Sequence, residues 1–87
     1  MTGPQALVEI QRLVGLGRVV YTFHAQQRMS QRSATTDDVR SALTSATSAT
    51  HQPENDRWCV AGGCDLDGDD LTIIVDLQAD VVVITLF

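Results

Sequence analysis

Apolar residues recur at helical spacing from the start of the chain. Leu7, Ile10 and Val14, with Ala6 and Leu13 beside them, follow Pro4 and stop at Gly15 and Gly17. Proline suits a helix's first turn, where its missing N–H costs nothing, and glycine suits the residue past its end, so a first helix is predicted here. "RVVYTF", Arg18 to Phe23, is β-branched and aromatic and predicts a strand. Helix formers return in "HAQQRMSQR", with Ala25 and Met29 as its inward pair. A further start signal follows at once: Thr35 fits an N-cap, Asp38 stands three residues on, and Ala34 can staple to Val39. Val39, Ala42, Leu43 and Ala46 then repeat at i, i+3, i+4 and i+7, one helix face, with Asp37 and Asp38 at the dipole's positive end.

After this the period changes to two. "SATHQPEN", Ser48 to Asn55, reads as a loop. Trp58 and Val60 then share one face of a strand, with Cys59 and Ala61 on the other. "DLDGDD" supplies a turn, Leu71, Ile73, Val75 and Leu77 alternate with Thr72, Ile74 and Asp76, and "LQAD" turns again. Val81 to Phe87 is apolar on both faces, the pattern of a central strand. The predicted fold is α+β: an N-terminal helix, a strand, two short helices and an antiparallel three-strand meander, all in a single domain over residues 1–87.

Composition narrows the class. A chain of 87 residues can build one core. With 44% hydrophobic and 20% charged residues it reads as a folded domain, not a disordered one. The longest apolar run, "VVVITLF", is far short of the ~20 residues of a membrane helix, and Glu9 and Arg12 interrupt the early apolar stretch, so neither a span nor a signal peptide is expected and the cytoplasm is the default location. Cys59 and Cys64 are then two free thiols; C-x4-C is not a zinc spacing, and no metal or cofactor is expected. The net charge of -5 is unevenly spread: residues 1–63 carry six arginines against five acids, residues 64–87 six acids and no base. A polyanion would have to approach the N-terminal two-thirds, with poor long-range steering.

Candidate chemistry concentrates in one row. His24, Arg28 and Arg32 are four residues apart, so on a helix they advance by ~400° per step and lie along one face bordering the Ala25/Met29 stripe. An imidazole with an unperturbed pKa of ~6.5 can take or give a proton near neutrality. A guanidinium offers a planar fork of donors to phosphate oxygens. Together these are the parts of metal-independent RNA cleavage: a base for the ribose 2′-OH, cations for the charge growing on the phosphoryl oxygens, and an acid for the leaving 5′ oxygen. The same spacing is also that of a solvated helix face, and a histidine after a strand often serves only to cap. Arg57, Trp58 and Tyr21 are weaker substrate-binding candidates. Trp58 can stack on a base or fill the core, and Tyr21 can donate from its phenol or stay half-buried. Asp65, Asp67 and Asp69 have the first spacings of a calcium loop but lack its glycine and flanking helices, which favours a plain hairpin turn. The apolar end at Phe87 needs pairing inside the sheet, or cover from a partner chain or a second copy in a homodimer.

The order "YTF", "HAQQRMSQR", "TTDDVRSAL" resembles the domain of unknown function 4258 family, whose members read F-S-x-H-A-x-x-R-M-x-x-R-G-I-[ST]-x-x-[ED]-V-x-x-[AL]-L before a meander. Phe23, His24, Ala25, Arg28, Met29, Arg32, Thr35, Asp38, Val39 and Leu43 match, and the likeness covers about residues 20–87. The resemblance implies a RelE/ParE-like, BrnT-like fold and a bacterial type II toxin. Such a toxin would be an endoribonuclease with His24, Arg28 and Arg32 as its catalytic residues, and its partner an antitoxin, in many cases a YgiT/MqsA-like zinc-finger protein. The alternative is a non-catalytic interaction module, or a degenerate toxin homologue, whose arginines bind an acidic partner. Ser33 replaces the family's glycine after Arg32, which predicts a less sharp helix end.

Overall fold

The computed structural model describes residues 1–87. Its first helix, α1 (Gly3–Gly15), begins in a capping box: Thr2 Oγ1 accepts from the Gln5 N–H (3.3 Å) while Gln5 Oε1 accepts from the Thr2 N–H (2.8 Å). It ends with Gly17 at φ 74, where the Gly17 N–H reaches the Val14 carbonyl (3.0 Å) and the Arg18 N–H reaches Leu13 (2.9 Å). That pair of bonds satisfies carbonyls the helix cannot use itself. The next strand, β1 (Val19–Tyr21), is shorter than the predicted Arg18 to Phe23. Thr22 stops it by accepting from the Ala25 N–H (3.1 Å) as the N-cap of α2 (Phe23–Gln31), which draws Phe23 into the helix.

The end of α2 corrects the expectation of a weak break. Ser33 takes the left-handed conformation itself, at φ 54. Its N–H bonds the Ser30 carbonyl (3.2 Å), the Ala34 N–H bonds Met29 (2.8 Å), and the turn is as tight as the one glycine makes after α1. Two residues later Thr35 caps α3 (Thr36–Ser45) in a second capping box with Asp38. One Asp38 oxygen accepts from the Thr35 N–H (2.9 Å), the other from the Leu66 N–H (3.1 Å). These donors, Thr35's first, hold the Asp38 carboxyl below the ordinary aspartate range against the opposing effect of burial. At the other end of α3 the Gln11 amide, from α1, reaches the carbonyls of Leu43, Thr44 and Ala46 at 3.0 to 3.3 Å.

Strands β2 (Ser48–Gln52), β3 (Arg57–Ala61), β4 (Ile73–Leu77) and β5 (Val81–Leu86) form an antiparallel meander, and β1 joins β5 in parallel. The result is one five-stranded mixed sheet, ordered β1-β5-β4-β3-β2. The three-strand meander expected from periodicity therefore gains a strand, because residues 48–52 pair across from β3 in register from Ser48↔Ala61 to Gln52↔Arg57. As an edge strand β2 buries only Ala49, so its sequence shows no apolar alternation. Pro53 follows it directly, and Asp56 turns the hairpin at φ 52.

Helices α1 and α3 cover one face of this sheet. Ile10, Leu13, Leu43, Val60, Ile73 and Val83 are among the 19 residues of the core cluster between them. Gly63 lets the connection after β3 lie against α3; a Cβ there would run into the Ala42 carbonyl oxygen. The opposite face carries no helix. Ile74, only 7% exposed, belongs to that side and stands outside the core cluster. Strand β5 is interior, as expected, but only its inward residues are fully buried. No helix is long and apolar enough to cross a membrane.

Candidate functional site

The site begins with an irregularity in β5. Val81 and Val83 point into the core, and simple alternation would send Thr85 there too. A register shift against Ile74 and Val75 instead pairs Val83 with Val75 and Thr85 with Ile74, leaving Ile84 as the extra residue. Alternation resumes one step later with Leu86 inward, at 0% exposure. The bulge thus presents Thr85 on the bare face, beside α2.

There the sequence's basic row meets it. His24, in the first turn of α2, sets Nε2 3.1 Å from Thr85 Oγ1. Arg28, one turn later, donates from Nε to the Leu86 carbonyl (3.2 Å) and from Nη1 to Gln31 Oε1 (3.2 Å). Imidazole and guanidinium therefore rest on consecutive residues of one strand. His24 is exposed and its Nδ1 has no protein partner, so one ring nitrogen faces solvent whichever tautomer the Thr85 contact selects. Arg32, the C-cap residue of α2, is exposed on the next turn.

Charge pairing separates these groups from the rest. Arg12, Arg18 and Arg40 each have a carboxylate, on Glu9, Asp80 and Asp37. Arg28, Arg32 and Arg57 have none. The three arginines singled out in the sequence are the three left without an ion pair. Arg57 shares the bare face but stands two strands from β5, at the opposite end of the sheet from Thr85.

The two aromatic candidates point the other way. Trp58 is 7% exposed and packed in the core, so it offers no ring to a base on the bare face. Tyr21 also faces the core side, where its hydroxyl is buried without a partner. Burial raises its pKa above the ordinary phenol value; the charge of Arg40 offsets part of that and Asp37 adds to it. Neither residue joins the His24 site.

Elsewhere the chemistry is thinner. Asp65 Oδ1 accepts from the N–H groups of Asp67 (2.9 Å) and Asp69 (3.0 Å), so this carboxylate closes its own turn instead of facing an ion. No three His, Cys, Asp or Glu residues cluster as metal ligands, and Cys59 and Cys64 are free thiols. One pair escaped the sequence reading: His51 Nε2 lies 2.8 Å from Asp56 Oδ1, and its ring leans on Trp58 with centroids 4.9 Å apart. They border a cleft of about 570 Å³ at the far end of the sheet. Reading residues 48–55 as a loop removed the register that brings them together.

The model of a family described as Domain of unknown function (DUF4258) matches residues 21–87. The chain belongs to the DUF4258 family. The match takes in the last residue of β1, the whole His24–Arg28–Arg32 row and the meander through β5. Helix α1 lies before it. No curated protein and no solved structure matches the chain.

Proposed function

We propose that this DUF4258 protein is the toxin of a type II toxin–antitoxin pair, a RelE-like, metal-independent endoribonuclease neutralised by a cognate antitoxin. One observation carries the reading: exposed His24 and half-buried Arg28 are seated side by side on Thr85 and Leu86 without a carboxylate, with exposed Arg32 one turn beyond. His24 takes the proton of a ribose 2′-OH through its free ring nitrogen. The 2′ oxygen then attacks the adjacent phosphorus, the P–O5′ bond breaks, and a proton returned from the imidazolium or from water completes the new 5′-OH. The other product ends in a 2′,3′-cyclic phosphate. Arg28 and Arg32 hold the non-bridging oxygens, where charge builds in the transition state.

The test is cleavage of a single-stranded RNA by purified protein in the presence of a chelator. Cyclic-phosphate ends are expected, with His24→Ala and Arg28→Ala each slowing cleavage by about a hundredfold or more while the protein stays folded. Uncut RNA, or a His24→Ala protein as fast as the parent, overturns the reading. The three arginines without an ion pair, Arg28, Arg32 and Arg57, favour one alternative, a module that binds an acidic partner through them without chemistry. Harmless expression together with uncut RNA would select it.

A further inference from the structure

The bare face of the sheet is apolar through its middle. Half-buried Val82 and Ile84 form its centre over nearly buried Ile74, and Val20 (47% exposed) and Phe87 (52% exposed) continue it toward β1 and Thr72. Phe87 belongs to this face because its backbone pairs in both directions with Thr72, one step beyond Ile73↔Leu86. Exposed apolar area this continuous on one face of a small domain marks a contact surface. Its border carries guanidinium groups, Arg28 beside His24 at one end and Arg57 at the other, neither of them ion-paired. Asp76 is the carboxylate on the face, and it accepts from the Gln78 amide (2.7 Å).

We infer that this face docks an acidic amphipathic segment of a partner protein, aliphatic side chains on Val20, Val82 and Phe87 and carboxylates on Arg28 and Arg57. Two other occupants fit less well. Aliphatic Val20, Val82 and Ile84 make up most of the face and Phe87 is the one ring on it, so a nucleic acid finds little to stack on. A second copy packed face to face would double the uncompensated arginines in one interface, and burying unpaired charge is costly. An acidic segment neutralises the border and covers the centre at once. Seated there it also closes over His24 and Arg28. The docking stands on the bare face alone; that it silences RNA cleavage rests on the nuclease reading above.

The probe is a fluorescein-labelled helical peptide with leucines at i, i+3, i+4 and i+7 and glutamates flanking them, paired with a version carrying lysines for the glutamates. Anisotropy titration is expected to show the glutamate peptide binding at least about tenfold more tightly. Val20→Asp and Phe87→Asp, at exposed positions the fold tolerates, each weaken it about tenfold. Arg57→Glu weakens the glutamate peptide and tightens the lysine one. Circular dichroism checks that each variant is folded. Equal binding of the two peptides, or none, overturns the inference. So does a dimer that Val20→Asp dissociates, which assigns the face to a second copy, or loss of RNA binding in Val20→Asp with no peptide bound, which assigns it to RNA. Cleavage is measured on the same proteins. If the peptide pattern holds and RNA stays intact, the docking survives and the nuclease reading fails; cleavage without the peptide pattern gives the converse.

Discussion

Single residues in this chain carry more than their type suggests. Ser33 sits in a left-handed conformation that costs a residue with a side chain roughly 1–2 kcal/mol, and it does so to end α2 sharply enough for Thr35 to cap α3 two residues on. Ser33→Gly should therefore raise stability by about 1 kcal/mol in urea unfolding and leave the His24 site unchanged. Asp38 has a pH signature. Its folded pKa lies below the unfolded value near ~3.9, so its contribution is complete above that value and drains away as pH falls through the lower, folded one. Urea midpoints measured from pH 6 down to pH 2 should drop in the parent protein and drop less steeply in Asp38→Asn. An equal slope in both would place the acid sensitivity elsewhere.

At the scale of elements, the bulge in β5 decides what α2 can do. Had β5 kept simple alternation past Val83, Thr85 would point into the core and His24 would lose its seat. Thr85→Val keeps the shape and removes the hydroxyl. It is expected to leave the unfolding midpoint nearly unchanged and, on the proposed nuclease mechanism, to slow RNA cleavage by about tenfold, since a mispositioned imidazole is a poorer base. A variant that cleaves at the parent rate would show that the Thr85 contact does not orient the ring. Helix α2 thus serves two purposes: Ala25 and Met29 anchor it in the core, and the row one position round the helix is held against the strand's exposed edge.

In the whole molecule, α1 lies outside the family match yet is part of the core. Ala6, Ile10, Leu13 and Val14 are all at most 3% exposed, and Gln11 satisfies carbonyls at the end of α3. Removing residues 1–17 would uncover the part of the sheet that α1 packs on and leave those carbonyls unbonded. The truncated chain is expected to be unfolded, by far-ultraviolet circular dichroism and by the loss of a cooperative melt. A folded fragment would mean that α3 and the sheet suffice. The charge distribution also belongs to this scale: six acids in the last 24 residues oppose distant attraction of RNA, so in the proposed nuclease contact would have to come from the short-range grip of Arg28 and Arg32.

Local physics alone determined a good deal. Caps at Thr35, glycine after the first helix, the apolar stripes of α1 and α3 and the alternation in β3 and β4 all act within a few residues, and each could be read from its own neighbourhood. The four-residue spacing of His24, Arg28 and Arg32 was legible for the same reason. Tertiary structure decided the rest. Polar β2 became a strand because β3 offered it partners, Trp58 and Tyr21 turned to the core because of their register, and the bulge brought Thr85 to His24. Which arginines stay unpaired, and which sheet face stays bare, depend on contacts between residues far apart in the chain, and no local periodicity records those.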